Sequence, residues 1–347
     1  MSSVGARRRT LVSPAWPERL PPLVLGVMLA AALGAIATLG GRAVPVVGAP
    51  VLAVLLGLAV RFAFRPGPWA TPGIAASARW PLQAAIVLLG TGIGLGTVLR
   101  VGAASLPVML GTLAVALLLG HVIGRALGIE RPLRTLITVG TGVCGASAIA
   151  AVASVVEVEA ADLAYAISTI FVFNIAAVLL FPGIGHAFGL SQQAFGLWAG
   201  TAVNDTSSVV AAGFAYGHAA GSHAVVVKLA RTMTIIPIVL ALAARERRAA
   251  TSQDASVVKR TRIVPPFLLF FVLAAAVNSS GVIDATVRHA LTQTAIVLIA
   301  VALAGVGLST QPGRVAATGP RPLLLGALLW VAVALSSLAL QALTSGL

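Results

Sequence analysis

Eleven apolar stretches, each close to the length that crosses a bilayer as a helix, recur along the 347 residues and leave little between them. They run over residues 21–40, 44–60, 80–99, 104–127, 132–156, 162–181, 194–217, 221–244, 263–277, 285–308 and 322–343. Such a chain cannot close into a water-soluble globule, because 59% of it is apolar and only 9% is Asp, Glu, Lys or Arg. Lipid must solvate much of its surface, and in lipid every backbone N–H and C=O has to be bonded internally. The expected fold class is an all-α polytopic membrane protein with about 11 transmembrane helices. The ninth stretch is the weakest, being the shortest and starting near Pro265-Pro266.

The basic residues divide unevenly among the gaps. Of the 23 Lys and Arg, 18 fall in or beside alternate gaps, and three, Arg42, Arg100 and Arg288, in the others. Positive charge collects on the cytoplasmic side, so the N-terminus is expected inside and the C-terminus outside a cell (inner) membrane. The same alternation puts the acidic cluster Glu157, Glu159 and Asp162 outside. Residues 1–20 then form a cytoplasmic N-terminal segment, 21–347 one integral membrane domain, and 245–262 a basic cytoplasmic loop. The first stretch could serve as a signal peptide, but Pro21, Pro22 and the lack of a polar mature domain favour a retained helix.

Charge spread through gaps also accounts for the net +14 without nucleic acid, which calls for basic residues massed on a soluble face. The single cysteine, Cys144, excludes an internal disulfide and the common cysteine-based zinc sites. No cofactor or metal is expected. Intramembrane proteases need a second deep Asp, a Gly-x-Ser-Gly or a His-Glu-x-x-His, and the sequence holds none, so no enzyme is expected.

Two segments echo each other. Residues 140–151 and 200–211 both read Gly-Thr-x-Val-x-x-x-Ser-x-x-x-Ala. A second pair, 92–97 and 305–310, reads Gly-x-Gly-Leu-x-Thr near opposite membrane faces, as inverted-topology repeats require. Small and polar residues weaken a helix at mid-membrane, and a break there must face protein or a water-lined cavity. The first pair therefore predicts two broken helices, with Thr141, Gly142, Cys144, Gly145 and Ser147 at one break and Asn204, Asp205, Thr206 and Ser207 at the other. Close helix packing is the alternative use of small residues, and Gly120-x-x-x-Gly124-x-x-x-Gly128 illustrates it. The pair at Gly92 and Gly305 fits either.

Three formal charges lie deep inside stretches: Asp205, Lys228 and Arg231. Each costs about 2.5–3.5 kcal/mol at a helix centre, so they need partners or a task. Counting about 1.5 Å per residue from a turn near Ala219 puts Asp205 at about 21 Å and Arg231 at about 18 Å, nearly level. A salt bridge between them is one reading. It leaves Lys228, one turn away on the same face, without a counter-charge. Surplus positive charge beside helix breaks, whose N–H groups also favour negative charge, suits an anion. Lys228 is one of only two lysines beside 21 arginines, and a compact ammonium suits reversible binding. Asn174 lines the cavity or bonds a neighbouring helix, and His121 reads as a packed or interface residue.

Residues 142–151, residues 200–213 and Val227-Lys-Leu-Ala-Arg-Thr-Met233 followed by Pro237 together resemble the bacterial YeiH-type family, whose members are named for sulfate export. The resemblance covers essentially the whole chain. It implies the cation/proton antiporter and bile-acid symporter superfamily: two inverted five-helix repeats, a panel domain, and a core with crossed broken helices. That scheme pairs spans five apart, whereas the Gly-Thr-x-Val echo joins the fifth and seventh.

The expected function is alternating-access secondary transport of a small anion, with sulfate, a sulfur oxyanion or a sulfonate as the implied substrate. Lys228 and Arg231 would carry the anion charge between the two breaks. Expected partners are the anion, membrane lipid, H+ or Na+ as a coupling ion, and a second copy of the chain. The alternatives are a cation-coupled antiporter with Asp205 as the coupling-ion site, and an anion channel.

Overall fold

A backbone in lipid can satisfy its own polar groups as a helix, and all regular structure among the described residues is helical. The computed structural model describes residues 20–43, 48–249, 266–310 and 319–344. Most of the N-terminal segment (1–19) and most of the basic loop (250–262, with Lys259) lie outside the described residues. The helices are α1 (Leu20–Ala43), α2 (Gly48–Phe64), α3 (Thr71–Gly90), α4 (Leu95–Ala126), α5 (Arg131–Gly142), α6 (Ala146–Val152), α7 (Ala160–Ala187), α8 (Gln192–Ala202), α9 (Thr206–Tyr216), α10 (His218–Thr232), α11 (Ile235–Ala249), α12 (Pro266–Ser279), α13 (Ala285–Ser309) and α14 (Pro320–Thr344). Among the described residues six stretches are long and apolar enough to cross a membrane: Pro22–Gly41 in α1, α4, α7, His218–Arg245 across α10 and α11, α13, and α14.

The helices pack as two groups. In the first, α1, α2, α3, α12 and α13 approach closely because glycines remove the side chains at their crossings. A Cβ on Gly26 of α1 would lie 2.7 Å from Gly73 Cα of α3, and one on Gly34 2.8 Å from the Val301 backbone of α13. Gly305 meets Ala78 N at 2.7 Å in the same sense, and α13 runs on unbroken around it. Gly92 sits in the α3–α4 connection, so the Gly92 and Gly305 pair marks no break. The second group contains α4 to α11 and α14. There Gly120 and Gly124 of α4 receive Thr138 and Arg134 of α5, the packing role expected of that glycine series.

The stretches expected to cross as spans five and seven instead double back. Gln192 at the start of α8 accepts from Ala220 N (3.0 Å) and donates to Tyr216 O (3.5 Å), and Phe195 stacks on Tyr216 at 3.8 Å between ring centroids. A straight helix would hold residues 192 and 216 about 36 Å apart. The start of α8 thus touches the end of α9, and the two form a re-entrant hairpin with its tip at residues 203–205.

The stretch α5–α6 does the same. Gly140 packs on Ile149, with 2.9 Å from a notional Cβ to Ile149 Cγ1. Glu130, at the start of α5, acts electrostatically on Asp162, at the start of α7, so both starts lie on one face. Alongside, α7 runs in the same direction as α14, with Thr169 against Gly326 and Phe173 against Trp330. In turn, α14 begins beside the end of α4, where Leu325 meets Gly124. The two hairpins therefore enter from opposite faces.

Two expectations change as a result. Spans five and seven are hairpins, and the acidic cluster lies on the arginine-rich face, beside Arg131, rather than opposite it. The basic asymmetry survives: Arg61, Arg65, Arg125, Arg245 and Arg321 share that face, while Arg42, Arg100 and Arg288 belong to the other. Arg61 ties the C-terminal ends of α2 and α13 together through Thr310 O (3.0 Å). Charge counting missed the reversals because residues 153–159, 188–191 and 217, which flank the hairpins, include no Lys or Arg.

This topology is open to cysteine labelling, since Cys144 is only 2% exposed and contributes little background. In sealed, oriented vesicles a membrane-impermeant maleimide should modify Glu157→Cys and Arg131→Cys from the same face, and Ser191→Cys from the other. Labelling of positions 157 and 131 from opposite faces would establish that α5–α6 crosses.

Candidate functional site

The two tips meet in the middle of the second helix group. Each hairpin ends its first helix there, and the last carbonyls of a helix have no partner within it and carry its partial negative charge. Lys228 Nζ donates to one such carbonyl on each tip, Val143 O and Val203 O, at 2.8 Å each. One turn on, Arg231 Nε donates to Gly142 O at 2.8 Å. Both side chains are fully buried, and both stand near the C-terminal end of α10, where a helix favours positive charge. The pair of mid-membrane cations noted in the sequence therefore staples the hairpins together.

Close contact at the tips demands glycine. Gly145 adopts φ +65°, and a Cβ there would stand 3.3 Å from Asp205 Cβ. Asn174 of α7, buried, braces the second tip by accepting from Asp205 N at 3.1 Å. Asp205 itself is the N-cap of α9: its Oδ2 accepts from Ser207 N at 2.9 Å and from Ser207 Oγ. On the first tip Ser147 Oγ donates to Cys144 O at 2.9 Å and lies 3.0 Å from Cys144 Sγ. Ser147 is exposed, and Asp205 and Thr206 are half-buried, so the tips are accessible on one side.

The Asp205–Arg231 salt bridge does not form. Arg231 spends Nε on Gly142, and its Nη1 and Nη2 have no protein partner. Asp205 lies within electrostatic reach of Lys228 instead. Depth along a straight helix made the two charges level, but the carboxylate sits at a helix start and bonds its own backbone two residues on.

Buried polar atoms are nearly always hydrogen-bonded, which makes the exceptions informative. Five of the nine among the described residues lie at the tips, Nη1 and Nη2 of Arg231, Nδ2 and Oδ1 of Asn204, and Oγ1 of Thr141, while Asn278 Oδ1 and Trp330 Nε1 lie elsewhere. Thr138, one turn before Thr141, and Thr169 of α7 also hold unpartnered hydroxyls. Neither was singled out in the sequence, where the only signal is threonine within an otherwise apolar stretch. No group of three His, Cys, Asp or Glu suited to a metal exists among the described residues. A groove of about 1000 Å³ between α3 and α12, lined by Trp80, Phe267 and Phe270, lies away from the tips.

Replacing Lys228 by Met should orphan the carbonyls of Val143 and Val203, each at a cost of about 1–3 kcal/mol. The expected result is a clear drop in the thermal unfolding temperature of the purified protein, with Lys228→Arg intermediate. Parent-like stability in Lys228→Met would show that the tips hold without the ammonium.

The comparisons with known proteins agree with a membrane protein of this kind. A family described as "Conserved hypothetical protein 698" matches residues 25–326. A UPF0324 membrane protein of Streptococcus pyogenes serotype M6 is 40% identical over 335 residues, covering 93% of this chain and 97% of the relative. One of Streptococcus agalactiae serotype V is 36% identical over 332 residues (94% and 97%), and one of Clostridium tetani 35% over 331 (91% and 96%). Sequence motifs, helical architecture and relatives thus converge, and the chain belongs to the YeiH-type family, conserved hypothetical protein 698, of UPF0324 membrane proteins.

Proposed function

We propose that the protein is a secondary transporter of a small anion that works by alternating access about the two hairpin tips. The observation that carries this reading is Arg231: wholly buried, anchored through Nε to Gly142, with Nη1 and Nη2 unpartnered. A buried guanidinium is costly unless acceptors reach it, and its planar fork matches the paired oxygens of an oxyanion. Lys228 adds a second positive charge one turn away, but its bonds are spent on the tips. Arg231 therefore contacts the anion while Lys228 supplies field and structure. Sulfate, a sulfur oxyanion or a sulfonate is the substrate class.

The proposed architecture has nine crossings, α1, α2, α3, α4, α7, α10–α11, α12, α13 and α14, and two re-entrant hairpins. A hairpin followed by a crossing helix forms a unit used twice in opposite orientation, over residues 131–187 and 192–249. The Gly-Thr-x-Val echo is the trace of that inverted pair, in which the repeat is shorter than five spans. The glycine-packed helices α1–α3, α12 and α13 serve as the fixed panel, and the arginine-rich face is cytoplasmic. The rival in which Asp205 binds H+ or Na+ draws on its half-buried carboxylate at the open side of the tips.

Thermal-shift titration separates these. A saturating anion at about 100 times its Kd should add about 2.7 kcal/mol of apparent stability to the parent. Sulfate, sulfite, thiosulfate, sulfonates and carboxylates form the panel, and Arg231→Ala should lose the response. An undiminished response in a well-folded Arg231→Ala protein overturns the assignment. Stabilisation by Na+ or low pH alone, lost in Asp205→Asn, supports the rival.

A further inference from the structure

Asn204 is the fully buried polar residue of the second tip whose side chain the protein leaves unused. It is 1% exposed, and neither Nδ2 nor Oδ1 has a partner. Its neighbours are committed: Val203 gives its carbonyl to Lys228, and Asp205 caps α9 while donating its N–H to Asn174. The backbone is therefore fixed on both sides of a free amide. Lys228 and Arg231, one turn apart on α10, bond Val203 and Gly142 respectively, so Asn204, next in the chain to Val203, and the guanidinium of Arg231 both stand beside the junction of α10 with the tips.

The donor and acceptor inventory of these groups is unequal to a bare oxyanion. Arg231 offers donors only, whereas an amide offers two N–H donors and an oxygen that must itself accept. Rotating the amide by half a turn leaves the same inventory, because both ends are unpartnered. An anion with only acceptor oxygens can satisfy Arg231 and the Asn204 N–H groups. It offers Oδ1 no donor of its own, and a buried acceptor left without a donor beside negative charge is heavily penalised.

We infer that Asn204 selects, among small anions, those bearing a hydrogen-bond donor beside their charged oxygens: Oδ1 accepts that donor while Nη1 and Nη2 of Arg231 hold the oxygens. The ligand class is a monoanionic oxo acid with an O–H or N–H group. This rests on the anion-transport reading above and narrows its substrate.

Sulfamate and methanesulfonate test it, being tetrahedral monoanions of nearly equal size that differ in an NH2 against a CH3 group. Full-length protein in detergent is titrated with each by thermal shift, as the parent and as Asn204→Leu, with Asn204→Ala in reserve should the leucine variant not insert. The parent should favour sulfamate by about tenfold, the expected effect of one unpaired buried acceptor. In the variant both anions should still bind, with affinities within about twofold of each other, since no amide remains to discriminate. Equal affinities in the parent overturn donor selection while leaving an anion site standing, and that comparison needs no variant to fold. A preference that persists in both variants overturns the role of Asn204. No response of the parent to either anion overturns this inference and the anion reading together.

Discussion

The bridge from Lys228 to Val143 and Val203 is the interaction on which the rest of this structure depends. Two helix ends that stop at mid-membrane present carbonyls that lipid cannot solvate, and an ammonium in the same place has no water either. Each is untenable alone. Together they form a short, charge-assisted junction that joins hairpins entering from opposite faces. A tip that moved away would leave the ammonium with one carbonyl, whereas moving both would leave it bare, so the energetics oppose parting it from both tips at once.

Around that junction the protein divides its labour by side-chain size. Helices α1, α2, α3, α12 and α13 are held by glycine contacts in which backbone meets backbone. Association in lipid has little hydrophobic drive, so close van der Waals packing has to supply it. The hairpin group adds aromatic stacks to its own glycine contacts: Phe195 on Tyr216 closes the second hairpin, and Phe181 on Trp198 (4.1 Å) braces it against α7. Trp198 Nε1 also donates to Ala334 O at 3.0 Å, and Thr201 bonds Ser337. Rigid flanks and a polar centre are what a site needs if its unpartnered groups are to stay unpartnered by the protein itself.

Much of this was legible from residue types. Apolar stretches and arginine asymmetry give a multi-pass helical protein, and the Gly-Thr-x-Val echo marks both tips to within a residue or two. Lys228 and Arg231 stood out by cost alone. The direction of the chain after each tip was not legible, because about 20 apolar residues with a weak centre fit a kinked crossing and a hairpin equally well. Asp205 misled because its preference is local: an aspartate ahead of Ser207 and an apolar run caps the helix it begins, and that bond forms regardless of a distant arginine. Asn204 looked like one polar residue among four. Its distinction lies in what its neighbours bond, which only three-dimensional placement reveals.

Arg131 and Arg134 stand where the first hairpin enters, but the connections after it and around the second are bare, which has a consequence for how the chain reaches its final form. Lys and Arg beside an apolar segment anchor its orientation as it leaves the insertion machinery, and residues 153–159, 188–191 and 217 offer none. Neither α5–α6 nor α8–α9 ranks among the stretches long and apolar enough to be held by lipid on their own. Their reversal is therefore dictated by the helices already in place and by the cations of α10, which are synthesised after both tips. Val143 and Val203 gain their ammonium only once α10 has been made, so completion of this protein's centre is a late, tertiary event.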